Sequence, residues 1–350
     1  MAATATGIHH RSYAQALALR HTRAEYARLI LLGVGLVAAP FLLPRVWLTV
    51  ACQAGIAAIG AIGLNILTGF TGQISLGQGG FLAVGAYTSA IVVMRAGLPT
   101  PAGIVAGVAL TALIGAFFGL PALRLKGLYL AIATLASQEI ILWTVRNWTV
   151  VTGGVDSLQV SPPVILGFQL DGDFRWYWLI LGCALVAALA ATNLFRTGLG
   201  RAFVAIRDQD VAALATGVDV VRCKLLAFAL SSGFVGLAGA LTAHYTGSVT
   251  WERFTFDVSV VYVAMIIVGG LGSVAGSIYG AVFMVALPAA VQQIGTALRD
   301  THPALAVKLP ALQLGAFGLV IVLFLLFEPR GLARLWQRMK DYVRLWPFRC

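Results

Sequence analysis

From Leu29 onward the chain is a succession of apolar stretches close to bilayer length, separated by short polar connections. A hydrocarbon core about 30 Å thick takes roughly 20 helical residues to cross, and within it every backbone N–H and C=O must be satisfied by the protein itself. The candidate segments are 29–43, 46–68, 74–94, 102–120, 127–148, 174–194, 225–247, 258–268, 274–294 and 309–327. They predict an all-α, polytopic integral membrane protein with about ten transmembrane helices. The eighth segment is short and runs into Gly269-Gly270-Leu271-Gly272-Ser273, which reads either as a tight turn or as a break inside one long segment. Composition points the same way, because 59% of the 350 residues are hydrophobic and 11% charged, whereas soluble domains carry roughly 25% charged residues. So few charges cannot coat a soluble globule, which excludes a cytosolic, nuclear or secreted enzyme.

The formal net charge is +11, but the basic residues lie between apolar runs, so membrane topology explains them better than nucleic-acid binding does. With ten spans and an inside N-terminus, 17 Lys and Arg fall inside and 7 outside. The expected organisation is a cytoplasmic tail at 1–28, a transmembrane domain at 29–327 and a cytoplasmic tail at 328–350, with a polar cytoplasmic loop at 195–224. No small-x-small cleavage site follows the first apolar stretch, so it reads as an uncleaved span.

Much of the glycine, 39 residues in all, sits within apolar segments, where small residues let helix backbones approach. The run Gly69 to Gly80 invites a second reading. Gln73, Ser75 and Gln78 place hydrogen-bonding groups beside flexible backbone, as in unwound segments that line a transport path. Glu139 is the carboxylate inside a predicted span, where an ionised side chain costs on the order of 3 kcal/mol. It is expected to hydrogen-bond a neighbouring helix, with a place on a translocation route as the other reading. His244 and Tyr245 read as interfacial residues near the outer end of the seventh span.

Catalytic and metal signatures are missing from the sequence. None of Lys126, Lys224, Lys308 and Lys340 follows a glycine, so there is no Walker A phosphate loop. The histidines show no HExxH spacing and the four cysteines no CxxC pair. The expectation is a protein that is not an enzyme, with no catalytic residues and no metal site.

The stretch Gly63 to Phe81, GLNILTGFTGQISLGQGGF, followed by Gly85-Ala86-Tyr87, closely resembles the permease subunits of branched-chain amino acid ABC importers, and most of all the M-type subunit, LivM. The resemblance continues through Gly119 to Ala131, Thr152-Gly153-Gly154, Gly200 to Asp208, Lys224 to Phe228, Gly269 to Ser273 and Pro329 to Leu332. It implies a bacterial inner-membrane permease with cytoplasmic termini, forming half of a pore whose other half is a second permease subunit, as a heterodimer. Two ATP-binding subunits would hold ATP and magnesium, this chain carrying no cofactor, and a periplasmic binding protein would deliver substrate. Asn65, Gln73, Ser75 and Gln78 then become route-lining candidates, with Glu139.

Such permeases dock on the ATPase through a degenerate Glu-Ala-Ala-x-x-x-Gly motif. Val211 to Gly217 matches it at Ala212, Ala213 and Gly217, with Val211 in place of the acid. Physically it reads as a short helix capped by Asp210 and ended by a left-handed Gly217, with small Ala212 and Ala213 letting a partner approach. Arg207, Asp208, Asp210, Ala212, Ala213 and Gly217 are the expected coupling residues. Gln78 stands where histidine is common, and Asp156-Ser157 where an Asn-Gly-like pair is common. Substrate could therefore be leucine, isoleucine and valine, or urea, short amides or aromatic acids. A self-sufficient carrier or channel is the competing class.

Overall fold

The computed structural model describes residues 23–160, 163–165, 168–169, 172–297, 315, 317–324, 326–328 and 331–345. The long helices are α1 (Arg23–Leu42), α2 (Arg45–Asn65), α3 (Gln78–Arg95), α4 (Thr100–Ala122) and α5 (Leu128–Asn147). After the four-residue α6 (Thr149–Thr152) come α7 (Asp173–Arg196), α8 (Gly198–Asp208), α9 (Asp210–Ala215) and α10 (Val220–Thr246). The series continues with α11 (Phe256–Gly269), α12 (Val274–Ala297) and, beyond a helical stretch at 317–324, α13 (Gly331–Leu345).

Side-chain contacts fix the helix directions. Tyr177 donates to the Leu36 carbonyl at 2.9 Å and Phe41 packs edge-on against Phe174, so α1 runs opposite to α7. Thr49 donates to Asp173 at 2.5 Å and Gly55 abuts Ile180, so α2 runs with α7. Tyr245 reaches Asp173 at 3.1 Å while Gly63 abuts the Ser231 carbonyl, so α10 runs against α2. Gly107, Gly115 and Gly119 of α4 face Ala240, Ser232 and Phe228 in turn, another antiparallel pair.

One end of the bundle, here the basic end, gathers the start of α1, the end of α2, the Arg124–Lys126 connection, α8, α9 and α13. The far end carries the described residues between α5 and α7, where β1 (Leu158–Gln159) pairs antiparallel with β4 (Ser248–Val249). Beside it β2 (Val164–Ile165) pairs with β3 (Phe168–Gln169). α2 is the axis, buried from Ile56 through Asn65 against α7, α10, α11 and α12. The glycine-rich faces permit this density, because a Cβ at Gly85 or Gly239 would overlap the Gly236 or Leu82 carbonyl.

Gly269–Ser273 is a tight turn. Gly269 lies against Gly276 and Met265 against Gly280, so α11 and α12 form an antiparallel hairpin. Gly270 and Gly272 supply its left-handed angles, φ 122° and 74°. Six described helices are long and apolar enough to cross a membrane, which leaves the expected ten unconfirmed. The apolar part of α1, Ile30–Leu42, is short, α11 has 14 residues, and 309–314 lie outside the described residues. In α13 Leu332, Leu335, Trp336 and Met339 share one side and Arg334 and Arg338 the other, the pattern of a helix lying along a membrane surface.

Candidate translocation and coupling site

The end of α2 is where regular structure fails. Its last turn widens into a π-helical turn, Ile66–Phe70, a device often found at functional sites. Gly72 then adopts φ 69° and residues 72–77 are non-helical. Gln78 nonetheless donates from Nε2 to the Gly60 carbonyl at 3.0 Å, a level about 15 Å back along α2 from Phe70 at 1.5 Å per residue. The chain therefore climbs back through the bundle interior as unwound backbone before α3 begins. Three amides at the end of this segment and the start of α3 are met by side chains. Leu76 N–H donates to Thr134 Oγ1 at 2.9 Å, Gly77 N–H to Ser75 Oγ at 3.4 Å and Gly79 N–H to Ser259 Oγ at 2.8 Å. Ser259 in turn donates to Gln138 Oε1 at 2.6 Å. Gly79 must be glycine here, since a Cβ would overlap the Phe254 carbonyl.

The predicted route residues divide. Asn65 is a clamp: Nδ2 donates to the Ser273 carbonyl at 2.9 Å and to Ser277 Oγ at 2.6 Å, and Oδ1 accepts from Gly272 N–H at 2.9 Å. Gln78 and Ser75 are buried and engaged in holding the unwound segment. Gln73 differs, because both ends of its buried amide lack a partner among the described residues. Glu139 does not bond a neighbouring helix as expected. It lies exposed on the outward face of α5, with no hydrogen bond or ion pair among the described residues. His244 is not interfacial either, being buried with Nε2 2.8 Å from Ser89 Oγ. Thr134, Gln138 and Ser259 were missed, although a polar side chain within an apolar span was the available signal.

At the basic end, the polar loop 195–224 is largely helical. Thr197 caps α8 by accepting from Gly200 N–H at 3.5 Å. Arg207 at the end of α8 donates to the Gly69 carbonyl at 3.3 Å, inside the π-helical turn, and pairs with Asp208 at 3.0 Å. Phe195 stacks on Phe70 at 3.4 Å. The loop thus grips the turn from which the unwound segment departs.

Asp210 does not cap α9. Gln209 occupies the N-cap with no side-chain bond, and the Asp210 carboxylate instead bridges Lys224 at 2.8 Å and Lys126 at 2.9 Å. Partial burial pushes this carboxyl up, but the hydrogen bonds and charges of Lys224 and Lys126 outweigh it and hold it below the usual carboxylate range. Gly217 takes the left-handed position, φ 86°. Gly217 N–H donates to the Leu214 carbonyl at 3.0 Å and Val218 N–H to that of Ala213 at 3.1 Å, a complete Schellman stop. Ala213 is not a contact surface for a partner. It is buried with Phe203, Ile206 and Cys223 in this chain's own core. Ala212 is exposed, and the apolar surface α9 offers is Val211, 71% exposed, and Leu214, 64% exposed.

Discontinuous backbone inside a bundle of apolar helices, mechanically tied to helices at its end, defines a multi-pass membrane transport protein. The family model described as "Branched-chain amino acid transport system / permease component" matches residues 46–325, and the chain belongs to that family. It is 34% identical over 273 residues to the high-affinity branched-chain amino acid transport system permease protein LivM of Salmonella typhimurium, covering 71% of this chain and 64% of that one. Against LivM of Escherichia coli the identity is 34% over 281 residues, 73% of this chain and 66% of the relative. It thus spans just under two thirds of both. The autoinducer 2 import system permease protein LsrC of Salmonella paratyphi B is 30% identical over 203 residues, 55% of this chain and 56% of that one. No solved structure matches the chain significantly.

Proposed function

We propose that this chain is the transmembrane permease subunit of an ATP-driven importer in a bacterial inner membrane, both termini cytoplasmic, that moves branched-chain amino acids delivered by a periplasmic binding protein. The observation that carries the reading is the link between α9 and the unwound segment. α9 presents Val211 and Leu214 outward, while Arg207, three residues before Asp210, holds the Gly69 carbonyl at 3.3 Å. A partner ATPase seated on Val211 and Leu214 would push α8 and α9 when it binds ATP and magnesium. That motion would pass through Arg207 and the Phe70–Phe195 stack to the π-helical turn and the backbone beyond it. The Asp210 bridge would carry it to α10 and, through Lys126, to α5. Gln73, buried beside the turn with an unpartnered amide, is the route residue this reading favours.

No substrate bond is made or broken in such a subunit. A second permease completes the pore and two ATPases supply the energy. Branched-chain amino acids are preferred over an autoinducer-like substrate because the similarity to LivM is higher and covers more of the chain than that to LsrC. The test is isolation of the complex and measurement of its ATP hydrolysis with leucine-loaded and empty binding protein. Stimulation by the loaded protein supports the reading. Transport of leucine by this chain alone removes it.

A further inference from the structure

The last apolar helical stretch keeps its outward surface apolar to its very end. Leu319, Val322, Leu326 and Phe327 are exposed, the last two by 71% and 73%, and Glu328 N–H still closes the helix on the Phe324 carbonyl at 3.0 Å. An apolar surface that runs up to Phe327 and stops at Glu328 puts the edge of the hydrocarbon layer there. Gly331 follows three residues later, so α13 begins within about 11 Å of that edge. Gly331 N–H donates to the Glu328 carbonyl at 2.9 Å, and its left-handed φ of 75° turns the chain. Leu332 then packs on the bundle core and Arg338 reaches back to Glu328 at 3.0 Å. α13 therefore stays beside the end of the span instead of running off into solvent.

Beyond Leu332 the apolar stripe continues through Leu335, Trp336 and Met339, all exposed. The same helix carries Arg334, Arg338, Lys340 and Arg344 against one acid, Asp341, a net charge of +3. Each residue turns about 100° around the axis, so Lys340 and Arg344 fall to one side of the stripe and Arg334 and Arg338 to the other. In this arrangement apolar side chains enter the outer hydrocarbon while long basic side chains extend to the headgroups. The start of α13 also touches the transport machinery. A Cβ on Gly331 would come within 2.6 Å of the Gly270 backbone, and two residues further along that turn Gly272 N–H donates to Asn65 Oδ1 at 2.9 Å.

We propose that α13 binds anionic phospholipid at the membrane surface on the basic end, and that through Gly331 it braces the Gly269–Ser273 turn that holds Asn65. The lipid site stands on the geometry of this chain alone, and the bracing role rests on the permease reading above. Depth selects lipid as the occupant, because the stripe starts beside the hydrocarbon edge that Phe327 marks, and a soluble partner seated on it would have to enter the headgroup layer. Charge selects the kind of lipid. A helix at +3 is drawn to anionic headgroups, whereas a neutral surface offers its basic residues no counter-charge.

The experiment uses the chain with its co-isolated partners, so that a protein occupant can compete, in nanodiscs of mixed phosphatidylglycerol and phosphatidylcholine. A photo-crosslinking amino acid is placed singly at Leu335 and Met339 on the stripe and at Gln337 on the opposite side, and the adducts are identified by mass. Lipid adducts are expected from Leu335 and Met339 and not from Gln337, with phosphatidylglycerol at least threefold above its share of the disc. Arg334→Gln, Lys340→Gln and Arg344→Gln together should return it to that share, Arg338 being left in place because it holds Glu328. Adducts to protein in place of lipid, or no phosphatidylglycerol enrichment in the wild type, overturn the lipid site, and the wild-type result decides this even where the triple variant fails to insert. In the same discs, omitting phosphatidylglycerol should lower ATP hydrolysis stimulated by loaded binding protein at least threefold. Equal hydrolysis in both lipids, with the enriched adducts present, overturns the bracing role. If no ATPase co-purifies, the importer reading fails and the bracing role with it, while the adducts still decide the lipid site.

Discussion

Asp210→Asn should be among the most damaging single substitutions at the basic end, through Lys224. The Lys224 side chain is 8% exposed and Asp210 21%, so this pair is nearly dry, whereas Lys126 is 69% exposed. Losing one partner of a buried pair costs about 3–5 kcal/mol because the other charge is stranded. With Asp210 partly solvated, about 3 kcal/mol is the appropriate end of that range. The exposed Lys126 contact is worth less than about 1 kcal/mol. Thermal unfolding of the purified complex can be followed by reaction of a fluorogenic maleimide with Cys223, buried beside Lys224. Asp210→Asn should lower the midpoint on the order of 5 °C, Lys126→Met should barely move it, and Asp210→Asn with Lys224→Met should recover most of the loss. The pH dependence has a definite sign. The folded carboxyl lies below its unfolded value of about 3.9, so its contribution is present above about pH 4 and is lost as pH falls through the folded value. Equal, small effects of Asp210→Asn and Lys126→Met, or no rescue by Lys224→Met, would refute the reasoning.

Further outcomes follow from the same geometry. Val211→Glu and Leu214→Glu should insert and fold normally yet reduce ATPase stimulation at least tenfold, measured in proteoliposomes at equal permease content. Ala213→Glu should act differently, burying a charge within the core around Phe203 and lowering the amount of folded protein recovered from the membrane. Gly217→Val, at φ 86°, should cost about 1–2 kcal/mol from left-handed strain, read as a lower midpoint in the same maleimide assay. Arg207→Gln, which loses the charged link to Gly69 and keeps a hydrogen-bonding side chain, should leave ATPase association intact while weakening substrate-stimulated hydrolysis.

What the sequence shows of this fold is what local pattern can carry. Apolar segments of bilayer length announce the helices, and Gly69 to Gly80 with interspersed Gln and Ser announces unwound backbone. Gly217 announces the end of α9 because only a left-handed stop needs it there. Contacts between distant segments leave no such trace. Asp210 lies beside a plausible helix start, and nothing local reveals that Lys126 and Lys224 have already claimed its carboxylate. The burial of Ala213 is equally hidden, since a six-residue helix is too short for periodicity to separate its inner side from its outer one. Asp257 reads as a loop residue until the hydrogen bond between Ser259 and Gln138 shows how deep α11 begins. Asn65 looks like a polar group on a path, and becomes a clamp once the Gly269–Ser273 turn folds against it.

The central claim, that this chain moves substrate only when driven through α8 and α9 by an ATPase, is tested most directly by leucine uptake into proteoliposomes. The purified chain is compared alone and with its co-isolated partners, with and without ATP and loaded binding protein. Accumulation is expected only when the partners, ATP and loaded binding protein are all present, and it should be lost in Val211→Glu. Leucine entry through the chain alone, or accumulation without ATP, would contradict it.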